Sequence, residues 1–155
     1  MGLITLQGKR CSYTILPFEN SLPLHVHWGA KAQIQDDKEL FPFRNRDYSI
    51  RPRIGSSTVS IEELQFEYGF AENGDFRRPA FRLRDGNNYP VTGPFELSSR
   101  NYSGKEPVPG LPSARIGAAH GIETLELQMH DPNTGATITL SYTMFPEYDA
   151  LCRHV

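Results

Sequence analysis

Apolar and polar residues alternate along most of this chain, with a period of two that β-strands satisfy and helices do not. In residues 11–17, the side chains of Cys11, Tyr13 and Ile15 share one predicted face, with serine and threonine on the other. Turn signals separate such segments, and the 12 prolines and 13 glycines are scattered along the chain. The pattern predicts many short antiparallel strands and little or no helix.

The clearest single element is a hairpin in the C-terminal third of the chain. Residues 122–130 alternate, with a one-residue slip near Thr124 that predicts a β-bulge. Residues 131–135 form a strong turn signal, and residues 136–144 form a return strand rich in β-branched side chains. Residues 142–155 then continue as a strand, a corner and the start of a further strand. Alternating strands joined by turns predict an all-β protein, an antiparallel twisted β-sandwich.

Length, charge and hydropathy narrow the range of functions. The 155 residues suffice for about one domain, and 38% hydrophobic with 22% charged residues is a globular composition. A formal net charge of −2 supplies no basic surface for nucleic acid. No apolar run approaches the ~18 residues that span a bilayer, and no signal peptide is visible. We expect no nucleic-acid partner, no membrane partner and a cytoplasmic location.

Two pairs of residues raise the question of a disulfide or a metal. Cys11 and Cys152 are too few for a disulfide scaffold and are predicted to be buried thiols in a reducing compartment. His25 and His27 lie in a predicted strand, with both imidazoles on one face and Trp28 on the other. Zinc requires a third and a fourth ligand, and the other histidines show no paired spacing. We predict no metal site and no cofactor.

Carboxylates are the residues that a glycoside hydrolase requires, as a facing pair about 5–9.5 Å apart. Acidic residues that qualify by number alone are Asp36, Asp37, Glu67, Glu72 and Asp75. No spacing selects a pair among them, and the sequence shows neither a nucleophile elbow nor a phosphate loop. We therefore predict no catalytic residue in this chain. A small self-sufficient enzyme is the least favoured hypothesis.

Three features fall outside the alternating pattern. Residues 36–58 are rich in arginine and aromatic residues and lack a period. Loops longer than ~12–15 residues are usually functional or disordered. The pattern of residues 60–66 is compatible with one helical turn. Asp75 and Arg77 precede Pro79, a spacing that predicts a fixed ion pair at a strand entry.

Taken in order, several short motifs resemble the N-terminal β-sandwich domain of glycoside hydrolase family 36, the α-galactosidases. The motifs are His27-Trp28-Gly29, Gly74-Asp75-Phe76-Arg77 with Pro79-Ala80, Gly110-Leu111-Pro112, Glu123-Thr124-Leu125-Glu126-Leu127, Leu140-Ser141-Tyr142-Thr143 with Phe145, and Arg153 with Val155. The resemblance implies one N-terminal domain over residues 1–155. Because the sequence stops inside a predicted strand, we expect this domain to be truncated at its C-terminal end. Unpaired strand edges would then make it marginally stable and prone to association.

The resemblance also implies a function. In the family, this domain precedes a β/α-barrel that carries both catalytic aspartates, and the parent enzyme is a retaining hydrolase of terminal α-galactosides such as melibiose and raffinose-type sugars. No barrel motif is present here, so we expect this chain alone to be inactive. It is predicted to be a non-catalytic structural and oligomerisation module. Its implied partners are the barrel, the neighbouring subunits of a homo-oligomer and the sugar.

Substrate contacts are implied for one loop. In the family, a loop of this domain reaches the active site of a neighbouring subunit, and residues 36–58 correspond to it best. Asn45 stands where relatives can place an acidic residue, and an amide hydrogen-bonds a hydroxyl without bringing a charge. Arg46 beside it is either a sugar contact or a plain interface residue. Trp28 is either a core residue or a platform that stacks on a sugar ring. The alternative function is a free-standing carbohydrate-binding module, with Trp28, Tyr48 and the arginine-rich loop as its sugar platform.

Overall fold

The computed structural model describes residues 2–19, 21–35, 64–70, 77–112 and 121–155. Within these residues, seven antiparallel strands form two sheets. The helical content of the same residues is one 3₁₀ turn, Pro146–Tyr148. The prediction of an all-β antiparallel sandwich is confirmed.

Within each sheet, strands that are consecutive in sequence pair with one another. The first sheet has the order β1-β2-β3, with β1 at Ile4–Gln7, β2 at Cys11–Phe18 and β3 at Leu22–Ala30. The second sheet has the order β4-β5-β6-β7, with β4 at Glu96–Ser103, β5 at Glu123–His130, β6 at Thr137–Phe145 and β7 at Ala150–His154. Sequence reasoning missed β4, because polar residues outnumber apolar ones in this mostly exposed edge strand.

The two sheets share one apolar core, which makes them a sandwich. Leu125, Leu127 and Met129 alternate along β5 and are fully buried on its inner face. Tyr13 and Ile15 of β2 belong to the same cluster from the opposite sheet. Fully burying one leucine or methionine side chain stabilises a fold by about 1.5–3 kcal/mol. The alternation seen in the sequence therefore places on the inner faces the apolar side chains whose burial holds the two sheets together.

The predicted hairpin is confirmed, since β5 pairs with β6 over its whole length. Asp131 closes the turn: its backbone carbonyl accepts from the N–H of Gly135 at 2.8 Å, and its carboxylate accepts from the Thr134 hydroxyl at 2.7 Å. The bulge predicted near Thr124 is wrong, because the register of β5 is unbroken on both sides. Thr124 is a buried polar residue whose hydroxyl donates to the carbonyl of Gly104 at 2.6 Å, so its polarity marks no slip.

A bulge lies instead in β3. Ile15 of β2 pairs with His25, and Thr14 pairs with His27, which leaves the valine between the histidines as an extra residue. Neighbouring residues of β2 point to opposite faces, and cross-strand partners share a face, so the two histidines lie on opposite faces. The prediction that both imidazoles share a face is wrong, because the extra residue reverses the alternation. It also brings Trp28 onto the face of His25.

A tight corner joins β6 to β7 and ties the second sheet to the first. The 3₁₀ turn ends at Asp149, whose φ of 49° is left-handed. The Asp149 carboxylate accepts from the backbone N–H of Arg10 at 2.7 Å and from its Nε at 2.8 Å. The N–H of Lys9 donates to the carbonyl of Pro146 at 3.1 Å. The predicted strand, corner and return strand are confirmed, and the corner is fastened to the turn between β1 and β2.

Several sequence predictions fall on other parts of the chain. The loop at residues 36–58, with Asn45 and Arg46, lies outside the described residues. So do Asp75 and residues 60–63 of the predicted helical turn. The ion pair predicted between Asp75 and Arg77 therefore stays a prediction.

The two cysteines are both free thiols. Cys11 is buried, as predicted, whereas Cys152 is only partly buried because β7 is an edge strand. Burial raises the pKa of the Cys11 thiol. The described residues contain no apolar helix of membrane-spanning length.

Candidate functional site

One carboxylate lies between the two sheets, on a short segment that β3 holds in place. Residues 64–70 run beside β3, where the N–H of His25 donates to the carbonyl of Gln65 at 2.7 Å and the N–H of Glu67 donates to the carbonyl of Pro23 at 2.9 Å. Buried apolar side chains anchor this segment at both ends. The side chain of Glu67 extends from it into the sandwich and is 0% exposed.

Four donors converge on Glu67. Its Oε1 accepts from the Tyr13 hydroxyl at 2.6 Å and lies 3.0 Å from Nδ1 of His25. Its Oε2 accepts from the Tyr142 hydroxyl at 3.0 Å and from Nη2 of Arg153 at 2.8 Å. These donors come from β2, β3, β6 and β7 respectively. One carboxylate therefore links both sheets.

The donors and acceptors of this network assign its protons. An ionised carboxylate only accepts hydrogen bonds, so Nδ1 of His25 faces Glu67 as a donor. Burial, and then the hydrogen bond to Glu67, raises the pKa of Tyr13. Burial, and then the charge of Glu67, raises the pKa of Tyr142. Both phenols therefore stay protonated at neutral pH and donate to the carboxylate.

Arg153 closes the network on the β7 side. Its guanidinium carbon lies 5.1 Å from the centre of the Tyr142 ring, and Nη2 also donates to the backbone carbonyl of Glu67 at 3.1 Å. Partial burial acts to lower the pKa of Arg153, but the Glu67 charge and the interactions with Tyr142 and Tyr13 together outweigh it, and the pKa is raised. Both oxygens of Glu67 are thus occupied by donors, and the carboxylate links the two sheets.

Three side chains around this carboxylate reach solvent. Trp28 is 46% exposed, and its ring centre lies 5.7 Å from that of Tyr13. The side chain of His25 is 31% exposed and that of Arg153 is 43% exposed. Trp28 is therefore a half-exposed indole and not a core residue. Its role as a substrate contact stays a prediction.

The outer face of the second sheet carries another polar row. Arg100 of β4 donates to Glu126 of β5 at 2.7 Å, as the Tyr102 hydroxyl does at 3.1 Å. Ser141 and His154 follow as register partners on β6 and β7, and neither Ser141 Oγ nor His154 Nδ1 has a hydrogen-bond partner within the described part of the chain. Arg100 is largely exposed, so water screens its ion pair. The buried network around Glu67 is the stronger candidate.

Glu67 was one of five acidic candidates in the sequence, and no spacing selected it. Tyr13 is 54 residues away along the chain, so the contact depends on the fold. The one available signal was Tyr13 on a predicted inner face, where a buried phenol requires an acceptor. The acidic candidates outside the described residues are Asp36, Asp37, Glu72 and Asp75. Among the residues that are described, no group of three His, Cys, Asp or Glu side chains is placed to hold a metal.

The model of the glycosyl hydrolase family 36 N-terminal domain matches residues 21–155, most of the chain. The chain belongs to this family. The resemblance that the sequence motifs indicated is thereby confirmed, and the β-sandwich around Glu67 is a family 36 N-terminal domain.

Curated relatives of this family 36 domain are α-galactosidases. AgaA of Geobacillus stearothermophilus is 30% identical over 148 residues, which cover 96% of this chain and 20% of the relative. Probable α-galactosidase C of Aspergillus flavus is 41% identical over 83 residues, which cover 52% of this chain and 10% of the relative. The family 36 domain thus spans a fifth or less of the relatives it matches.

Solved structures agree with this assignment. A variant of AgaA in complex with raffinose superposes with a TM-score of 0.81 at 29% identity, and the match covers 97% of this chain and 21% of that chain. The α-galactosidase of Lactobacillus brevis has a TM-score of 0.82 at 24% identity, with 97% and 20% covered. The second likeness, at lower identity, shows the fold alone. In both solved structures, the family 36 domain matches one part of a much longer chain.

Proposed function

We propose that this family 36 domain is a non-catalytic structural module of an α-galactosidase, a retaining enzyme that hydrolyses terminal α-galactosides. The observation that carries the proposal is the match of residues 21–155 to the N-terminal domain, which accounts for only 20% of the AgaA enzyme. The network around Glu67 supports it, because its buried carboxylate joins the sheets and has no oxygen left for a substrate. The described part of the domain is built as a scaffold.

The partners follow from the same proposal. Residues 1–155 form one N-terminal domain that packs on a catalytic β/α-barrel and on neighbouring subunits of a homo-oligomer. Asn45 and Arg46 contact the sugar in the active site of a neighbouring subunit, and Trp28 adds an aromatic surface nearby. A scaffold in this role must keep its shape, and a four-donor joint between two sheets provides that rigidity.

Two activity measurements test the structural role. The purified 155-residue chain is assayed with an aryl α-galactoside, and we expect no turnover. In a chimera, this chain replaces the matching segment of AgaA, and we expect activity well above that of AgaA lacking the segment. Turnover by the isolated chain, or a chimera no more active than the truncated enzyme, would contradict the proposal.

The same chimera tests the proposed sugar contacts. Asn45→Ala and Arg46→Ala remove groups that bind the sugar, so we expect a higher KM for melibiose with folding unchanged. Glu96→Ala changes an exposed residue of β4 and serves as the control. Unchanged KM values in both variants would argue that these residues have no contact with the sugar.

A second function, a free-standing carbohydrate-binding module, is favoured by one observation, the half-exposed indole of Trp28. Calorimetric titration of the isolated chain with galactose, melibiose and raffinose separates the two functions. A carbohydrate-binding module releases or absorbs heat at millimolar sugar, whereas a purely structural module gives only the heat of dilution.

A further inference from the structure

Residues 81–92 form a short hairpin whose inner side is fixed on the core. Phe81 and Leu83 pack against the main apolar cluster, and Val91 is 6% exposed. The N–H of Val91 donates to the carbonyl of Leu83 at 3.0 Å, which joins the two arms of the hairpin. The arms therefore have a defined register on a rigid support.

Hydrogen bonds also fix the tip of this hairpin. Oδ1 of Asp85 accepts from the N–H of Asn87 at 2.9 Å and from that of Tyr89 at 2.8 Å. The N–H of Asn88 donates to the carbonyl of Asp85 at 3.0 Å, and Nη1 of Arg84 donates to the carbonyl of Asn88 at 2.8 Å. The carboxylate of Asp85 is thus turned onto backbone N–H groups, as in an Asx turn.

The outer side of the hairpin carries two arginines. Arg84 faces Pro90 as an isolated antiparallel bridge, and both residues are exposed. Arg82 is exposed as well, on the other side of Leu83, which packs inward. Side chains alternate along extended backbone, so Arg82 and Arg84 share one face, with their Cα atoms about 7 Å apart. Covalent geometry therefore keeps this arginine pair together.

The arginine pair has donors left for a ligand. Arg82 makes no hydrogen bond or ion pair with any described residue, and Arg84 binds the described residues through Nη1 alone. Because the Asn88 carbonyl already orients Arg84, ordering this side chain around a ligand costs little additional entropy. Residues 78–92 contain three arginines and one aspartate, whereas the whole chain has a formal net charge of −2. The hairpin is therefore a locally basic surface on an acidic chain.

The spacing of the arginine pair selects the class of ligand. A guanidinium binds a carboxylate through two parallel N–H···O bonds. Glutamates two residues apart in an extended segment share one face and lie about 7 Å apart, the same spacing as the arginine pair. A nucleic acid is less suited, because its affinity needs many phosphate contacts and the net negative charge of this chain repels a polyanion. We infer that Arg82 and Arg84 dock an extended acidic segment of a partner protein, with carboxylates on alternate residues.

This docking site does not depend on the structural role proposed for the domain. The chimera with AgaA reports on support of the barrel, whereas peptide binding to the isolated chain reports on the hairpin. Failure of the peptide titration therefore leaves the structural role intact, and failure of the chimera leaves the docking site intact.

Fluorescence anisotropy tests the site with two labelled peptides of the same composition. In the first peptide, glutamate alternates with threonine; in the second, the glutamates form one block and the threonines another. At an ionic strength of about 0.01 M, where charges are weakly screened, we expect the alternating peptide to bind the 155-residue chain with a Kd below about 1 mM. We expect the block peptide to bind at least about threefold more weakly, because it cannot match the spacing of the arginine pair.

Variants locate the binding on the hairpin. Arg82→Gln removes a guanidinium that has no described bond to lose, and we expect the Kd of the alternating peptide to rise at least about fivefold. Arg84→Lys keeps the charge but loses the planar fork, and we expect a smaller rise. Lys9→Gln removes one positive charge from the exposed turn between β1 and β2 and is the matched control, with an unchanged Kd. Circular dichroism confirms that each variant is folded, and if Arg84→Lys is unfolded, Arg82→Gln decides.

Any of four results would overturn the inference. The first is the absence of saturable binding of the alternating peptide up to about 1 mM. The second is a block peptide that binds as tightly as the alternating one, which would indicate attraction by charge alone. The third is tighter binding of a single-stranded oligonucleotide with the same number of charges, which would indicate a phosphate site. The fourth is a folded Arg82→Gln variant that binds the alternating peptide no more weakly than Lys9→Gln does.

Discussion

Tyr13 of β2 and Tyr142 of β6 lie with their ring centres 5.8 Å apart, one from each sheet, and both donate to the carboxylate of Glu67. The rings fill the space between the sheets, while the shared acceptor fixes the position of both hydroxyls. The centre of this sandwich is therefore joined by polar as well as apolar contacts. A joint of this kind resists sliding of one sheet over the other, which suits a scaffold.

Glu67→Gln is expected to destabilise the domain. The amide keeps the volume but replaces one acceptor oxygen with an NH₂ donor and removes the charge that Arg153 binds. Leaving a buried group unsatisfied costs about 1–3 kcal/mol, and partly exposed Arg153 regains water, so we expect a loss of about 2 kcal/mol in the free energy of unfolding. Urea denaturation measures it. Glu96→Gln, at an exposed position of β4, is the matched control and is expected to change stability by less than about 0.5 kcal/mol. Equal losses in both variants would show that the network is not stabilising.

The two buried phenols predict a loss of stability at alkaline pH. Burial and Glu67 raise the pKa of Tyr13 and of Tyr142 above the ordinary value of 10.0. The native state then keeps two protons that the unfolded state releases, so this stabilisation is complete below pH 10 and is lost as the pH rises further. Near-ultraviolet absorbance should show that two of the seven tyrosines ionise only when the domain unfolds. In the Tyr142→Phe variant, only one tyrosine should behave in this way. Ionisation of all seven in one step near pH 10, with the fold intact, would be incompatible with the network.

The corner between β6 and β7 predicts a loss of stability in acid. Hydrogen bonds from the backbone and then the side chain of Arg10 lower the pKa of Asp149 from 3.8 to about 2. The stabilisation is therefore present above pH 3.8 and is lost as the pH falls through about 2. Asp149→Asn keeps a residue that tolerates the left-handed backbone but removes the charge. We expect the difference in Tm between the two proteins to be constant above pH 5 and to shrink between pH about 4 and about 2. If the difference in Tm persists unchanged to pH 2, the charge of Asp149 does not stabilise the corner.

Gly8→Ala is expected to disturb the same corner. An added Cβ would lie 2.5 Å from Sγ of Cys11 and 2.8 Å from Oδ1 of Asp149, so the thiol and the carboxylate must shift. Overpacking of this kind costs about 1–3 kcal/mol. Gly86→Ala is the control, since nothing lies within 4 Å of its added Cβ. Urea denaturation should give a clearly lower midpoint for Gly8→Ala only, and equal midpoints would show that the corner has room for a methyl group.

Sequence reasoning succeeded where the information is local. The alternation in β2 and β5 predicted strands whose inner residues, such as Tyr13 and Leu125, are buried, and the turn at residues 131–135 predicted the hairpin. It failed at β4, where serines on an exposed edge carry no alternation. It also failed at the bulge in β3, which is visible only in the pairing with β2.

The sequence by itself determined that this is an all-β chain, because period-two burial is a property of each strand taken alone. Its ordered motifs also determined the family. Only the tertiary structure selected Glu67 among the acidic residues, since its donors lie 42 to 86 residues away from it along the chain and meet it through strand pairing and sheet packing. The tertiary structure likewise placed His25 on the same strand face as Trp28, because one inserted residue in β3 reverses the faces that the alternation assigned. The register of a strand, and the meeting of distant donors at one carboxylate, depend on partner strands, so no single segment encodes them.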